Sequence, residues 1–184
     1  MNTADLSSYS KRGYKPGRNV VIRALWYVVN YTLFVSPFFP FNGIKRLILR
    51  IFGAKIGKEV VIKPRVNIKY PWLLAIGNNS WIGEGAWIDN LALVTIGNNC
   101  CISQGVLIET GSHNYKSPDF HLITAPVTIE DGVWICAKAT ITAGTTCHSH
   151  SVLSAGSIAP VEMQPYGIYK GNPAVKIRER VINA

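Results

Sequence analysis

A chain of 184 residues, 48% apolar and 16% charged, is long enough to bury one real core and too apolar to be disordered or a coiled coil. Its formal charge of +9 hints at nucleic acid, yet the ten Lys and Arg up to Lys58 face Asp5 alone, and the other nine cations are matched by nine acids. The basic character belongs to an N-terminal arm with no nucleic-acid module beside it, so the arm either meets an anionic membrane surface or solubilises an apolar helix.

The arm spans residues 1–52. Residues 24–35 (ALWYVVNYTLFV) are almost wholly apolar and read as a helix stopped by Pro37 and Pro40. The run falls short of the ~20 residues that cross a bilayer, and no small-residue cleavage site follows it, which reads against a signal peptide. The helix packs on the body or a neighbouring subunit, the preferred reading, or lies at a membrane interface with its basic flanks on headgroups. Residues 44–52 form a second short helix leading into the body.

The body, residues 53–184, repeats. An aliphatic residue recurs every sixth position at Ile56, Ile62 and Ile68, then Ile76, Ile82 and Ile88, then Ile96, Ile102 and Ile108. After an interruption the series resumes at Ile129, Ile135, Ile141, Cys147 and Leu153. Four positions after most of these stands a small or β-branched residue such as Val60, Ser80, Ala92, Cys100, Val133 or Ser151. A period of six fits neither a helix nor a half-buried strand. It fits a parallel β-helix in which three hexads close one triangular coil, the aliphatic residue points inward and the small one sits near the corner. Gly57, Gly77, Gly83 and Gly97 follow inward residues, where a tight corner asks for permissive backbone. Of Cys100, Cys101, Cys136 and Cys147, three fall where small core residues belong, and all read as reduced packing residues of a cytosolic protein.

The interruption, residues 110–126, is rich in turn formers and is expected to be a protruding loop that gives a flat-sided solenoid one wall of a pocket. His113 stands at its departure point, where the backbone is anchored by the coil of Ile108. His121 lies deeper in the loop as a structural residue or substrate contact, and His148 and His150 read as surface residues.

The hexads, with residues 127–180 (VTIEDGVWICAKATITAGTTCHSHSVLSAGSIAPVEMQPYGIYKGNPAVKIRER), resemble the left-handed β-helix and coenzyme A-binding half of the hexapeptide-repeat acyltransferases. Within them, FGAKIGKEVVIKP, ISQGVLIETGSHNY and GNPAVKIRER are similar to the colanic acid biosynthesis acetyltransferases of the WcaF type, over residues 52–180. The resemblance implies an all-β, left-handed parallel β-helix with a short helical segment before it. It implies transfer of acetyl from acetyl-coenzyme A to a hydroxyl of a saccharide or exopolysaccharide precursor, without a metal, and His113 as general base. Imidazole, with a pKa near ~6.5, suits that role at neutral pH. It further implies a homotrimer with active sites between subunits, His113 coming from one chain and part of the coenzyme A channel from the next.

The acceptor is expected near His113 and the preceding coil, with Asp89, Asn90 and Glu109 as substrate ligands or corner-stabilising residues, and Tyr115 and Asp119 reaching in from the loop. Many sugar acetyltransferases carry asparagine where this chain has Gly83, so no hydroxyl-orienting role passes to that position. On the donor side Trp134 matches a tryptophan lining the pantetheine channel, Ala137 and Ala155 match positions whose backbone binds that arm, and Lys176 and Arg178 are the cations near the coenzyme A phosphates. A saccharide or lipid-linked saccharide at the inner face of the cytoplasmic membrane suits the apolar helix. A γ-type carbonic anhydrase needs three convergent histidines that this spacing does not supply; a non-catalytic β-helix scaffold would keep the hexads while losing His113 and the coenzyme A segment.

Overall fold

The computed structural model describes residues 3–183, so the first two positions of the arm and the last of the C-terminal tail expected over residues 160–184 lie outside it. Asn19 caps α1 (Val20–Val29) by accepting from the backbone N–H of Ile22 at 3.0 Å. The helix therefore begins at Val20, ahead of the apolar run. It widens into a π-helical turn, Asn30–Phe34, before Pro37. α2 (Asn42–Ile51) then enters the body.

The body is a parallel β-helix with three faces. Face one stacks Lys55–Ile56, Leu74–Ile76, Val94–Ile96, Val127–Ile129, Thr146–Cys147 and Glu162–Met163. Face two stacks Val61–Ile62, Trp81–Ile82, Cys101–Ile102, Trp134–Ile135, Val152–Leu153 and Gly167–Gly171, with Ala174–Glu179 folded back antiparallel at its end. Face three stacks Asn67–Ile68, Trp87–Asp89, Leu107–Glu109 and Thr140–Ile141. The hexad residues meet one another across coils, Ile62 over Ile82, Ile102, Ile135 and Leu153, and all are buried. Backbone bonds join the coils in both directions, as in Gly57 N to Ile76 O (2.8 Å) and Val61 N to Ser80 O (3.0 Å) one way and Asn79 N to Lys58 O (2.9 Å) the other.

The first coil has no coil beneath it, so its outward carbonyls, such as those of Ile56, Val60, Ile62 and Ile68, have no strand to donate to them, and an open edge of this kind must be covered. The helices cover it. Lys45, fully buried, donates to the carbonyls of Ile62 (3.2 Å) and Lys63 (3.1 Å), Arg46 to Val60 (3.1 Å), Arg50 to Ile56 (2.8 Å) and Gly57 (2.9 Å), and Trp26 to Ile68 (2.8 Å). Burial pushes the Lys45 ammonium down to about 8. Part of the basic arm is thus a cap, and the apolar helix packs on the body through Trp26, Asn30 and Phe34.

Two expectations need correction. Gly57, Gly77, Gly83 and Gly97 are not at left-handed corners; that backbone belongs to positions such as Asn79 (φ 57°) and Gly85 (φ 68°). They are glycine because a Cβ would strike the next coil, 2.6 Å from the carbonyl carbon of Gly97 at Gly77 and 2.5 Å from the backbone nitrogen of Gln104 at Gly83. Two cysteines, not three, lie in the core. Cys100 and Cys147 are buried, whereas Cys136 occupies the corner slot that follows Ile135 and is half-buried like Cys101.

The interruption is also more ordered than a loop. Between Ile108 and Ile129 the chain leaves the corner joining face three to face one as an antiparallel hairpin of Gly111–His113 and Leu122–Thr124.

Candidate active site

His113 ends the outgoing hairpin strand, opposite Leu122. Its Nδ1 lies 3.0 Å from the carbonyl oxygen of Phe120, and its ring stacks on that of Phe120 with centroids 4.5 Å apart and an interplanar angle of 7°. The ring of Tyr9 from the arm is tilted against that of His113 with centroids 5.7 Å apart. A carbonyl only accepts, so Nδ1 carries a proton and donates, and in the neutral ring the lone pair sits on Nε2. No hydrogen-bond partner for Nε2 occurs among the described residues. Phe120 holds that carbonyl from a left-handed backbone (φ 43°), a costly conformation for a bulky residue and the kind of strain found beside functional groups.

The hairpin is latched at its turn. Asp119 accepts from Arg12 (3.1 Å) and from the hydroxyl of Ser117, and it meets His121 Nδ1 at 2.9 Å. The Ser117 hydroxyl first, then His121 and Arg12, hold its carboxyl far below the usual carboxylate range. The arm adds Asp5 N to Pro118 O (2.9 Å) and Leu122 N to Ser10 O (3.3 Å). Asp119 is thereby engaged in holding the hairpin, and His121 is buried beside it. Tyr115 is 78% exposed at the turn, with Lys116 over its ring.

The other acceptor candidates divide. Asn90 is fully buried and spent on its corner, donating to the carbonyls of Tyr70 (2.7 Å) and Leu73 (2.9 Å) and accepting from Tyr70 N (2.9 Å). Asp89 and Glu109 are register partners on adjacent coils of face three. Asp89 pairs with Lys69 at 2.7 Å and lines a cleft of about 340 Å³ with Arg23, Tyr70 and Trp87. Glu109 lines a second cleft, about 460 Å³, with Ser112 and Thr124 of the hairpin and Thr142 of the next coil.

The donor-side candidates gather elsewhere. Trp134, half-exposed on face two, donates from Nε1 to the Ser103 hydroxyl at 3.0 Å. Trp134, Val152, Ile168 and Arg178 share one register column of that face. Ala137 and Ala155 lie one coil apart on the way from face two to face three, and Ala137 gives its carbonyl to Gly156 N at 2.9 Å. Lys176 is tied to Glu179, which leaves Arg178 the less encumbered cation. A third cleft of about 480 Å³ runs along this corner beside Trp81, Gly83, Cys101, Ser103 and Gln104. Face two is the side of the triangle opposite the corner from which the hairpin departs. One chain therefore holds His113 and Trp134 on opposite sides.

The same solenoid occurs in the hexapeptide-repeat-containing acetyltransferase VCA0836 of Vibrio cholerae O1 biovar eltor complexed with acetyl-coenzyme A, with a TM-score of 0.83 at 19% identity over 96% of this chain and 97% of that one. In sequence, WcaF of Escherichia coli strain K12, named for acetyl transfer in colanic acid biosynthesis, is 37% identical over 179 residues, 96% of this chain and 97% of that protein. The chain belongs to the hexapeptide-repeat acetyltransferases. This acetyltransferase also superposes on a galactoside acetyltransferase in complex with coenzyme A (TM-score 0.76, 25% identity, 86% and 80% of the two chains). No protein-family model matches the sequence. Among the described residues no group of three His, Cys, Asp or Glu side chains is placed to hold a metal ion.

Sequence reasoning missed Phe120, Tyr9 and Arg12. Nothing local marks Phe120 as the residue whose carbonyl selects the His113 tautomer, and the two arm residues lie more than a hundred positions away.

Proposed function

We propose that this acetyltransferase moves an acetyl group from acetyl-coenzyme A to a hydroxyl of a saccharide, with His113 as general base. The observation that carries the reading is the Nδ1–H bond to the Phe120 carbonyl, which selects the tautomer of the neutral ring whose lone pair is on Nε2. The acceptor hydroxyl gives its proton to Nε2 as its oxygen bonds to the acetyl carbon. The tetrahedral adduct collapses with cleavage of the C–S bond, and the imidazolium returns the proton to the departing thiolate. While the ring is cationic, the Phe120 carbonyl stabilises it. A backbone N–H is the natural donor to the oxyanion.

Coenzyme A would lie along face two, with Trp134 against the pantetheine arm, the backbone of Ala137 and Ala155 along it, and Arg178 with Lys176 at the phosphates. Three strand spacings of about 4.8 Å put Arg178 about 14 Å from Trp134, so an extended arm can run between them. Because face two lies across the triangle from the hairpin, His113 would act on coenzyme A held by a neighbouring chain. That geometry supports a homotrimer with sites at its interfaces. Asp89, Glu109 and Tyr115 remain the polar groups open to a saccharide. The colanic acid and galactoside names of the relatives favour a sugar hydroxyl.

The test is thiol release from acetyl-coenzyme A with a panel of sugars and lipid-linked saccharides, for wild type and His113→Ala. Loss of a general base lowers turnover by roughly 10²–10⁴. Equal turnover would refute the role of His113. No acetyl-coenzyme A binding by either protein would leave a β-helix scaffold as the better reading.

A further inference from the structure

We propose that the helical end of this protein docks on an anionic lipid bilayer through the outer faces of α1 and α2. The α2 cations Lys45, Arg46 and Arg50 turn in to the carbonyls of the first coil, while Ile44, Leu47 and Ile51, spaced i, i+3 and i+7, turn out with 47%, 56% and 72% of their surface exposed. α1 repeats the arrangement, with Trp26 and Asn30 buried and Val21, Leu25 and Val28 outside, and Phe38 in the connection is 89% exposed. An apolar stripe left outside in addition to the core-facing side marks a surface that another apolar phase covers. Tyr27 and Tyr31 stack beside that stripe with centroids 6.5 Å apart, and amphipathic rings of this kind sit well at headgroup level.

Charge selects the occupant. No carboxylate occurs between Asp5 and Glu59, and Lys15, Arg18, Lys55 and Lys58 remain exposed along this end. A second copy of the same surface would set like charge against like, and the body, neutral as a whole, offers no compensating excess of acid. A layer of anionic headgroups over acyl chains meets both the cations and the apolar stripe. No helix among the described residues is long and apolar enough to cross a membrane, so the contact is with its surface. The inference stands independently of the acetyl-transfer reading.

Wild type, Leu47→Glu/Ile51→Glu and Lys55→Glu/Lys58→Glu would be sedimented with phosphatidylcholine vesicles, with and without phosphatidylglycerol. Wild type should sediment with the anionic vesicles alone and be released by salt. The apolar double variant should bind at least about tenfold more weakly, and the charge variant should also lose binding, both with wild-type thermal midpoints. Wild type that ignores both vesicles, or takes both equally, would overturn the proposal. So would an apolar variant that binds like wild type, or one that elutes at lower mass, which would mark the stripe as a contact between chains.

Discussion

The imidazole of His113 is held twice by Phe120, through the carbonyl at Nδ1 and through the ring stacked on its face. The two contacts separate protonation from position. Phe120→Ala keeps the carbonyl and removes the ring, so the tautomer survives while the imidazole gains freedom. Turnover should fall by roughly 10²-fold or less with the KM for acetyl-coenzyme A unchanged. Steady-state kinetics would check this, and an equal loss in both parameters would place Phe120 in donor binding instead.

The Asp119 latch makes the hairpin depend on the arm. Arg12→Ala and Asp119→Ala should each speed proteolytic cleavage at Lys116 while leaving the global thermal midpoint close to wild type. Because the folded carboxyl titrates far below its ordinary value, its contribution is present above about pH 3.8 and is lost only as pH falls through the folded pKa. Limited proteolysis across mildly acidic pH should therefore find the wild-type hairpin closed.

Glycines that look alike should fail differently. Gly77→Ala places a Cβ 2.6 Å from backbone and should cost about 3 kcal/mol, the upper end for overpacking. Gly85→Ala has open space and only a left-handed backbone to contend with, about 1 kcal/mol. Thermal melts of the two variants compare these costs directly, and the reverse order would contradict the stacking argument.

His148 bridges Glu130 and Glu162, with both ring nitrogens at 3.0 Å from carboxylate oxygens. The Glu130 bond first, then Glu162, raises its pKa above the ordinary 6.5. A raised folded pKa means the bridge contributes fully below about 6.5 and is lost as pH rises through the folded value. The wild-type melting temperature should decline over that rise, and His148→Gln should flatten the decline.

The inward isoleucines were legible because each coil imposes the same steric demand every sixth residue, and burial of Ile56 through Leu153 follows it without a slip. His113 was legible because it interrupts that rhythm. Asn90 and Asp119 were readable only as polar groups near the site, since their partners, the carbonyls of Tyr70 and Leu73 and the guanidinium of Arg12, come from remote segments. The close approach that demands Gly77 and Gly83 is not legible, because a sequence read along one coil contains no information about the coil above it. The inward turn of the α2 cations is hidden for the same reason: the carbonyls that attract them belong to the solenoid edge and not to the helix.

From Ile76 to Ile96 one coil takes 20 residues, from Ile129 to Cys147 it takes 18, and from Ile96 to Ile129 it takes 33, yet Val94, Thr95 and Ile96 lie in step with Val127, Thr128 and Ile129. The solenoid therefore counts coils and ignores whatever is extruded at a corner. A hairpin of another length or composition could be exchanged there as a cassette while the strands on either side kept their register, and substrate preference could diverge without the fold having to be rebuilt.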